Sequence, residues 1–157
     1  GVDKSDALLA GTISLAFFGL LQPLGGMLSD RFGRRPLLLF FGVGFALLSV
    51  PLLHALRDSF VVLLLVQCAG MVLLTGFTSI SAAVNAEVFP PRVRAAGIGF
   101  PYSLTVALFG GTAPYIGTLF KELGYGGLFP WYVAVLCLGS SLVYLRLPET
   151  AHAELRR

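Results

Sequence analysis

Five apolar runs, each long enough to cross a lipid bilayer, are joined by short loops that hold most of the charge. The runs cover residues 7–28, 37–56, 60–86, 96–120 and 129–147. A spanning helix needs about 20 apolar residues, and inside lipid every backbone N–H and C=O must be satisfied within the segment. An apolar run of this length therefore has one open-sheet-free solution, the α-helix. Charged residues make up 12% of the chain, against about 25% in a soluble domain. The expectation is an all-α integral membrane protein with five transmembrane helices. Pro36 suits the first turn of the second helix, and Asp58 or Ser59 is the expected N-cap of the third. Pro130 lies near the start of the fifth. The third run exceeds what a perpendicular crossing needs, so it is expected to tilt or to extend past the bilayer.

Loop charge orients the chain. With loops assigned alternately, one side collects Arg31, Arg34, Arg35, Arg92, Arg94, Arg146, Arg156 and Arg157, and the other Lys4, Arg57 and Lys121. Arginine and lysine are retained in the cytoplasm, so the first side is expected there, with the N-terminus of this chain outside and its C-terminus inside. The expected location is the plasma (cell inner) membrane, and the lipid bilayer is the first partner. The net charge of +3 gives no reason to expect nucleic acid. Cys68 and Cys137 both fall within apolar runs, where a thiol packs as a small hydrophobe. The chain starts at Gly1 on a run too long for a signal-peptide core, and it reads as a piece of something longer.

The helices differ in their faces. The second and fifth are apolar nearly throughout and read as lipid-facing. The third carries Gln67, Met71, Leu74, Thr78, Ser81 and Asn85 at spacings that share one helical face. The fourth carries Tyr102, Thr105, Phe109, Thr112 and Ile116, and the first Thr12, Ala16, Gly19, Gln22 and Gly26. Three polar-faced helices are thus expected to meet at a cavity, with the other two outside. Gln22, Gln67, Thr78, Asn85, Tyr102 and Thr105 are the candidates for contact with a small-molecule substrate. For any single Ser or Thr, bonding to its own backbone or to a neighbouring helix is the simpler reading. Gln67 and Asn85 are costlier to bury. The stretch Gly110-Gly111-Thr112-Ala113-Pro114 should loosen the fourth helix.

The loop Gly25-Gly26-Met27-Leu28-Ser29-Asp30-Arg31-Phe32-Gly33-Arg34-Arg35-Pro36 resembles the G-x-L-S-D-R-x-G-R-R motif of the major facilitator superfamily. Glu87-Val88-Phe89-Pro90-Pro91-Arg92-Val93-Arg94-Ala95-Ala96-Gly97 resembles the E-x-F-P-x-x-x-R-x-x-G segment that follows the tenth helix of many such carriers. Pro148-Glu149-Thr150 resembles the PET sequence after the twelfth. Residues 97–115 look like the eleventh helix of the metabolite:proton symporter family. The resemblance covers nearly the whole chain and aligns its spans with helices eight to twelve, part of the carboxy-terminal six-helix bundle. It implies that the helices matching nine and twelve are peripheral. It also implies a cytoplasmic latch of Asp30, Arg34, Arg35 and Glu87 that opens when the carrier faces inward, with Glu149 joining against Arg92 or Arg94.

The function that follows is secondary transport: proton-coupled symport of a small organic acid or zwitterion by alternating access, completed by a missing amino-terminal half. Protons are then a second partner. The spans contain no Asp, Glu, Lys or Arg away from their ends, so no proton relay is visible within them. The alternative is a non-transporting truncated membrane protein, or the assembly partner of a separate half. An enzyme is not expected: CxxC, HExxH and GxSxG are absent. His54 and His152 fall on opposite faces of the membrane, so neither a metal site nor a cofactor is expected.

Overall fold

The computed structural model describes residues 2–149. Thr150 of the PET sequence, His152, Arg156 and Arg157 lie outside the described residues. The described residues are almost all helical, and five of their helical stretches are long and apolar enough to cross a membrane. The first is α1 (Lys4–Phe32) and the second α2 (Arg34–His54). The third comprises α3 (Phe60–Thr78) and α4 (Ser81–Val88). The fourth comprises α5 (Arg94–Thr105), a π-helical turn over Val106–Gly110 and α6 (Gly111–Glu122). A short 3-10 turn leads into the fifth, α7 (Phe129–Arg146).

Burial is inverted relative to a soluble protein. Most of the fully or nearly buried side chains are small (Ala10, Ser14, Ser29, Ser49, Thr75, Ala134 and Ser141, beside Leu38, Leu73 and Ile80), whereas leucines, valines and phenylalanines dominate the exposed surface. Lipid tails are as apolar as leucine, so helices in a membrane gain by close approach through small residues and not by hiding large ones. α1 packs on α3, α3 on α2, and α2 on α7. The hydroxyl of Ser49 reaches the carbonyl of Pro130 across the α2–α7 seam at 3.4 Å. The second helix is thus not simply an outer one. One side packs on α3 and α7, while Phe40, Val43, Leu47 and Leu48 remain exposed. Ser59 does sit at the N-cap of α3, but its hydroxyl makes no capping bond.

Two breaks depart from continuous helices. The third span interrupts at Ser79–Ile80, where the hydroxyls of Thr75, Thr78 and Ser79 all donate to carbonyls four residues back. Such back-bonding bends a helix. In the fourth span Pro114 has no N–H to give Gly110, and the π turn ends at that residue. Proline and π turns are established causes of helix irregularity. Among the described residues this span packs sparsely on the others, chiefly through α4 and α7.

α1 and α2 are separated by Gly33 alone. Its φ of +105° and ψ of 164° fall in a region that is essentially glycine-only. A Cβ there would also stand 2.5 Å from the Glu149 carboxylate. Gly33→Ala is expected to destabilise the folded protein by about 1–3 kcal/mol, read as a lower thermal midpoint in detergent. An unchanged midpoint would show that the joint has slack.

Candidate functional site

The Gly33 joint gathers four helix ends. Arg34 opens α2 and its side chain turns back onto α1. Nη1 donates to the Ser29 hydroxyl at 2.8 Å and to Asp30 Oδ1 at 2.7 Å. Nη2 donates to Glu87 Oε1, near the end of α4, at 3.3 Å. The Arg34 and Glu87 side chains are 14% and 15% exposed, and that of Asp30 is 71% exposed. The Arg34–Glu87 pair is therefore shielded from water and the Arg34–Asp30 pair is not. Arg35 donates through Nη2 to the carbonyl of Leu145 near the end of α7.

Glu149 occupies a different place from the one expected. Its carboxylate accepts the backbone N–H of Arg34 at 2.7 Å and that of Arg35 at 3.1 Å, whereas the expectation set it against Arg92 or Arg94. A helix that starts one residue after another ends has orphan N–H donors and a positive dipole end. A carboxylate is the natural partner for both. Arg94 instead donates through Nε to the carbonyl of Phe89, closing its own loop.

Above this cluster lies a cleft of about 330 Å³ between the start of α2, α4, α5 and the end of α7. Its polar groups are Ser81 and Asn85 from α4, Tyr102 and Thr105 from α5, and Tyr144 from α7. Leu38, Val84 and Leu147 line the cleft on one side and the space beside Arg34 and Arg35 on the other. They form an apolar floor one layer thick between cleft and ion pairs. Among the lining residues described, none is cationic or anionic, so the cleft offers hydrogen bonds without charge.

The six candidates do not share one pocket. Asn85, Tyr102 and Thr105 line the cleft. Gln22, Gln67 and Thr78 lie at the α1–α3 seam. Thr78 Oγ1 is 3.2 Å from Gln22 Oε1, and the Ser14 hydroxyl donates to Gln67 Oε1 at 3.2 Å. The break at Ser79–Ile80 separates the two groups, because it ends the single face on which Gln67, Thr78 and Asn85 were read together. Sequence reasoning missed Ser14, Ser29 and Tyr144. Ser29 stands inside the charged loop motif, and a hydroxyl three residues before the helix end was the available signal. Tyr144 lies within the fifth apolar run, and no pattern marked it.

Comparison with known proteins follows the same direction. The Major Facilitator Superfamily matches over residues 1–157. The chain is 41% identical over 139 residues to "Alpha-ketoglutarate permease" of Escherichia coli K12, covering 87% of this chain and 32% of that protein. It is 34% identical over 155 residues to "Citrate-proton symporter" of Klebsiella pneumoniae, covering 92% of this chain and 34% of that protein. It is 31% identical over 117 residues to "Ectoine/proline transporter ProP" of Corynebacterium glutamicum, covering 74% and 23%. The chain spans about a third of the length of such relatives or less. No solved structure gives a significant match.

Proposed function

This integral membrane chain belongs to the major facilitator superfamily, and from that premise we propose that it supplies helices eight to twelve of a proton-coupled symporter for a small organic acid. The mechanism is alternating access, in which two halves rock about a site near the midplane. The arginine-rich end faces the cytoplasm. There Arg34, Asp30, Glu87, Arg35 and Glu149 hold helix ends together while the carrier faces outward. The observation that carries this reading is the cleft with Asn85, Tyr102 and Thr105 directly above that ion-paired cluster, separated by one apolar layer.

The relative at 41% identity is named for α-ketoglutarate, against 31% for the one named for ectoine and proline, and this supports a carboxylate over a zwitterion. The cleft can donate hydrogen bonds to carboxylate oxygens through Asn85, Tyr102 and Thr105. It has no cation to balance their charge, so that charge must be met by the remainder of the carrier. The spans hold no Asp, Glu, Lys or Arg away from their ends, so in this reading the proton-carrying group belongs to the remainder of the carrier.

The test is uptake by vesicles holding the full-length carrier, with labelled α-ketoglutarate, citrate and betaine, with and without an imposed proton gradient. Gradient-driven uptake of a carboxylate is expected. In the same vesicles Asn85→Ala should raise KM about fivefold, the weight of one neutral hydrogen bond. Uptake indifferent to the gradient would overturn proton coupling. Uptake of betaine alone would overturn the choice of an organic acid.

A further inference from the structure

A second concavity lies on the opposite side of the joint. α1 and α2 diverge from Gly33, and each packs on α3 more than on the other. They leave a V-shaped groove with Gly25, Thr75 and Gly76 at its floor and a volume of about 480 Å³. Its α1 wall is Leu21, Leu24, Leu28 and Phe32, one face of the helix over about 16 Å. Leu24, Leu28, Phe32 and Phe40 are 47%, 47%, 61% and 48% exposed, so the groove opens outward. The hydroxyl of Thr75 donates to the Met71 carbonyl at 2.8 Å. The walls are otherwise hydrocarbon, and a polar solute would find no partner.

We infer that this groove seats one acyl chain of a membrane phospholipid, with the anionic headgroup of that lipid held by Arg31. The guanidinium carbon of Arg31 stands 5.5 Å over the ring of Phe32, at the mouth of the groove. That puts a fixed positive charge where a phosphate sits when its tail lies along α1. The Arg31 cation beside Phe32 at the mouth favours an anionic lipid as the occupant over an apolar helix face. An acyl chain is thin enough to reach the floor. The site depends on membrane insertion and not on which solute the carrier moves.

The full-length carrier, purified in mild detergent, is titrated with dioleoylphosphatidylglycerol or dioleoylphosphatidylcholine, and retained lipids are counted by native mass spectrometry. The carrier is expected to retain one phosphatidylglycerol about fivefold more tightly than phosphatidylcholine, the weight of one arginine near an anionic surface. Arg31→Gln should equalise the two lipids, Arg31→Lys should keep the preference, and Leu24→Trp should release both. Circular dichroism reports whether Leu24→Trp folds. If it does not, the exposed Arg31 pair decides, and equal retention of the two lipids by Arg31→Lys and Arg31→Gln counts against the site. The absence of a saturable lipid would overturn it. So would retention unchanged in folded Leu24→Trp, or photocrosslinking of a benzophenone maleimide on Val72→Cys, in a Cys68→Ser/Cys137→Ser background, to another helix of the carrier.

Discussion

Arg34→Gln is expected to lower uptake by the full-length carrier about tenfold or more while leaving its amount in the membrane near normal. The substitution leaves the Glu87 carboxylate, 15% exposed, without the Arg34 guanidinium. Removing one partner of a buried ion pair costs about 3–5 kcal/mol. Both groups here keep some contact with water, and about 2 kcal/mol is the fitting scale. That shifts the balance toward the latch-open, inward-facing state about thirtyfold. Ser81→Cys in a Cys68→Ser/Cys137→Ser background reports the shift, because position 81 lines the cleft above the floor. A membrane-impermeant maleimide added from the cytoplasmic side should label it faster in Arg34→Gln. Adding Glu87→Gln removes the carboxylate that faces the lost guanidinium and should restore part of the uptake. Asp30→Asn should slow transport less, because the Asp30 carboxylate is 71% exposed and a screened pair is worth under about 1 kcal/mol. Normal uptake and unchanged labelling in Arg34→Gln would sink the latch.

The residues that sequence could place are those whose partners lie close along the chain or whose environment is set by length alone. Spans are read by counting apolar residues, because lipid imposes the helix. Asp30 and Arg34 pair at i and i+4, a spacing visible by inspection. Other features depend on events with no periodic signature. The break at Ser79–Ile80 comes from three hydroxyls turning onto their own backbone, a choice that a 4-3-4 polar stripe does not disclose. The family resemblance sets Glu149 against arginine side chains. The stronger demand was two unsatisfied N–H groups at the start of α2, which follows only once the one-residue joint at Gly33 is known. Polar faces on three helices showed which sides avoid lipid without showing which helix each side meets. Gln22 and Gln67 therefore proved to tie α1 to α3, apart from the cleft that holds Asn85.

Gly76→Leu is expected to be the most damaging substitution at any glycine within the spans, preventing a stable bundle from being purified. Gly76 is buried where α3 crosses α2. A Cβ on it would lie 2.7 Å from the carbonyl oxygen of Leu37, 3.0 Å from Phe40 Cδ1 and 3.4 Å from Phe41 Cβ. The first of these is backbone and cannot rotate away, so the helices must separate. Overpacking costs about 1–3 kcal/mol when side chains can yield, and more when they cannot. Separation here also unseats Leu38, which is 3% exposed and belongs to the floor between cleft and latch. The stacked rings of Phe41 and Phe77, 5.2 Å apart, cross the same seam and would part with it. A loss of about 3 kcal/mol or more is a large share of a folded protein's margin. Gly139→Ala is the matched control, since nothing lies within 4 Å of a Cβ at that position, and it should purify normally. Fluorescence-detection size-exclusion chromatography of both variants separates the outcomes. A sharp, wild-type-like peak for Gly76→Leu would mean that α2 and α3 do not meet at this residue, and the floor that sets the cleft above the ion pairs would have to be redrawn.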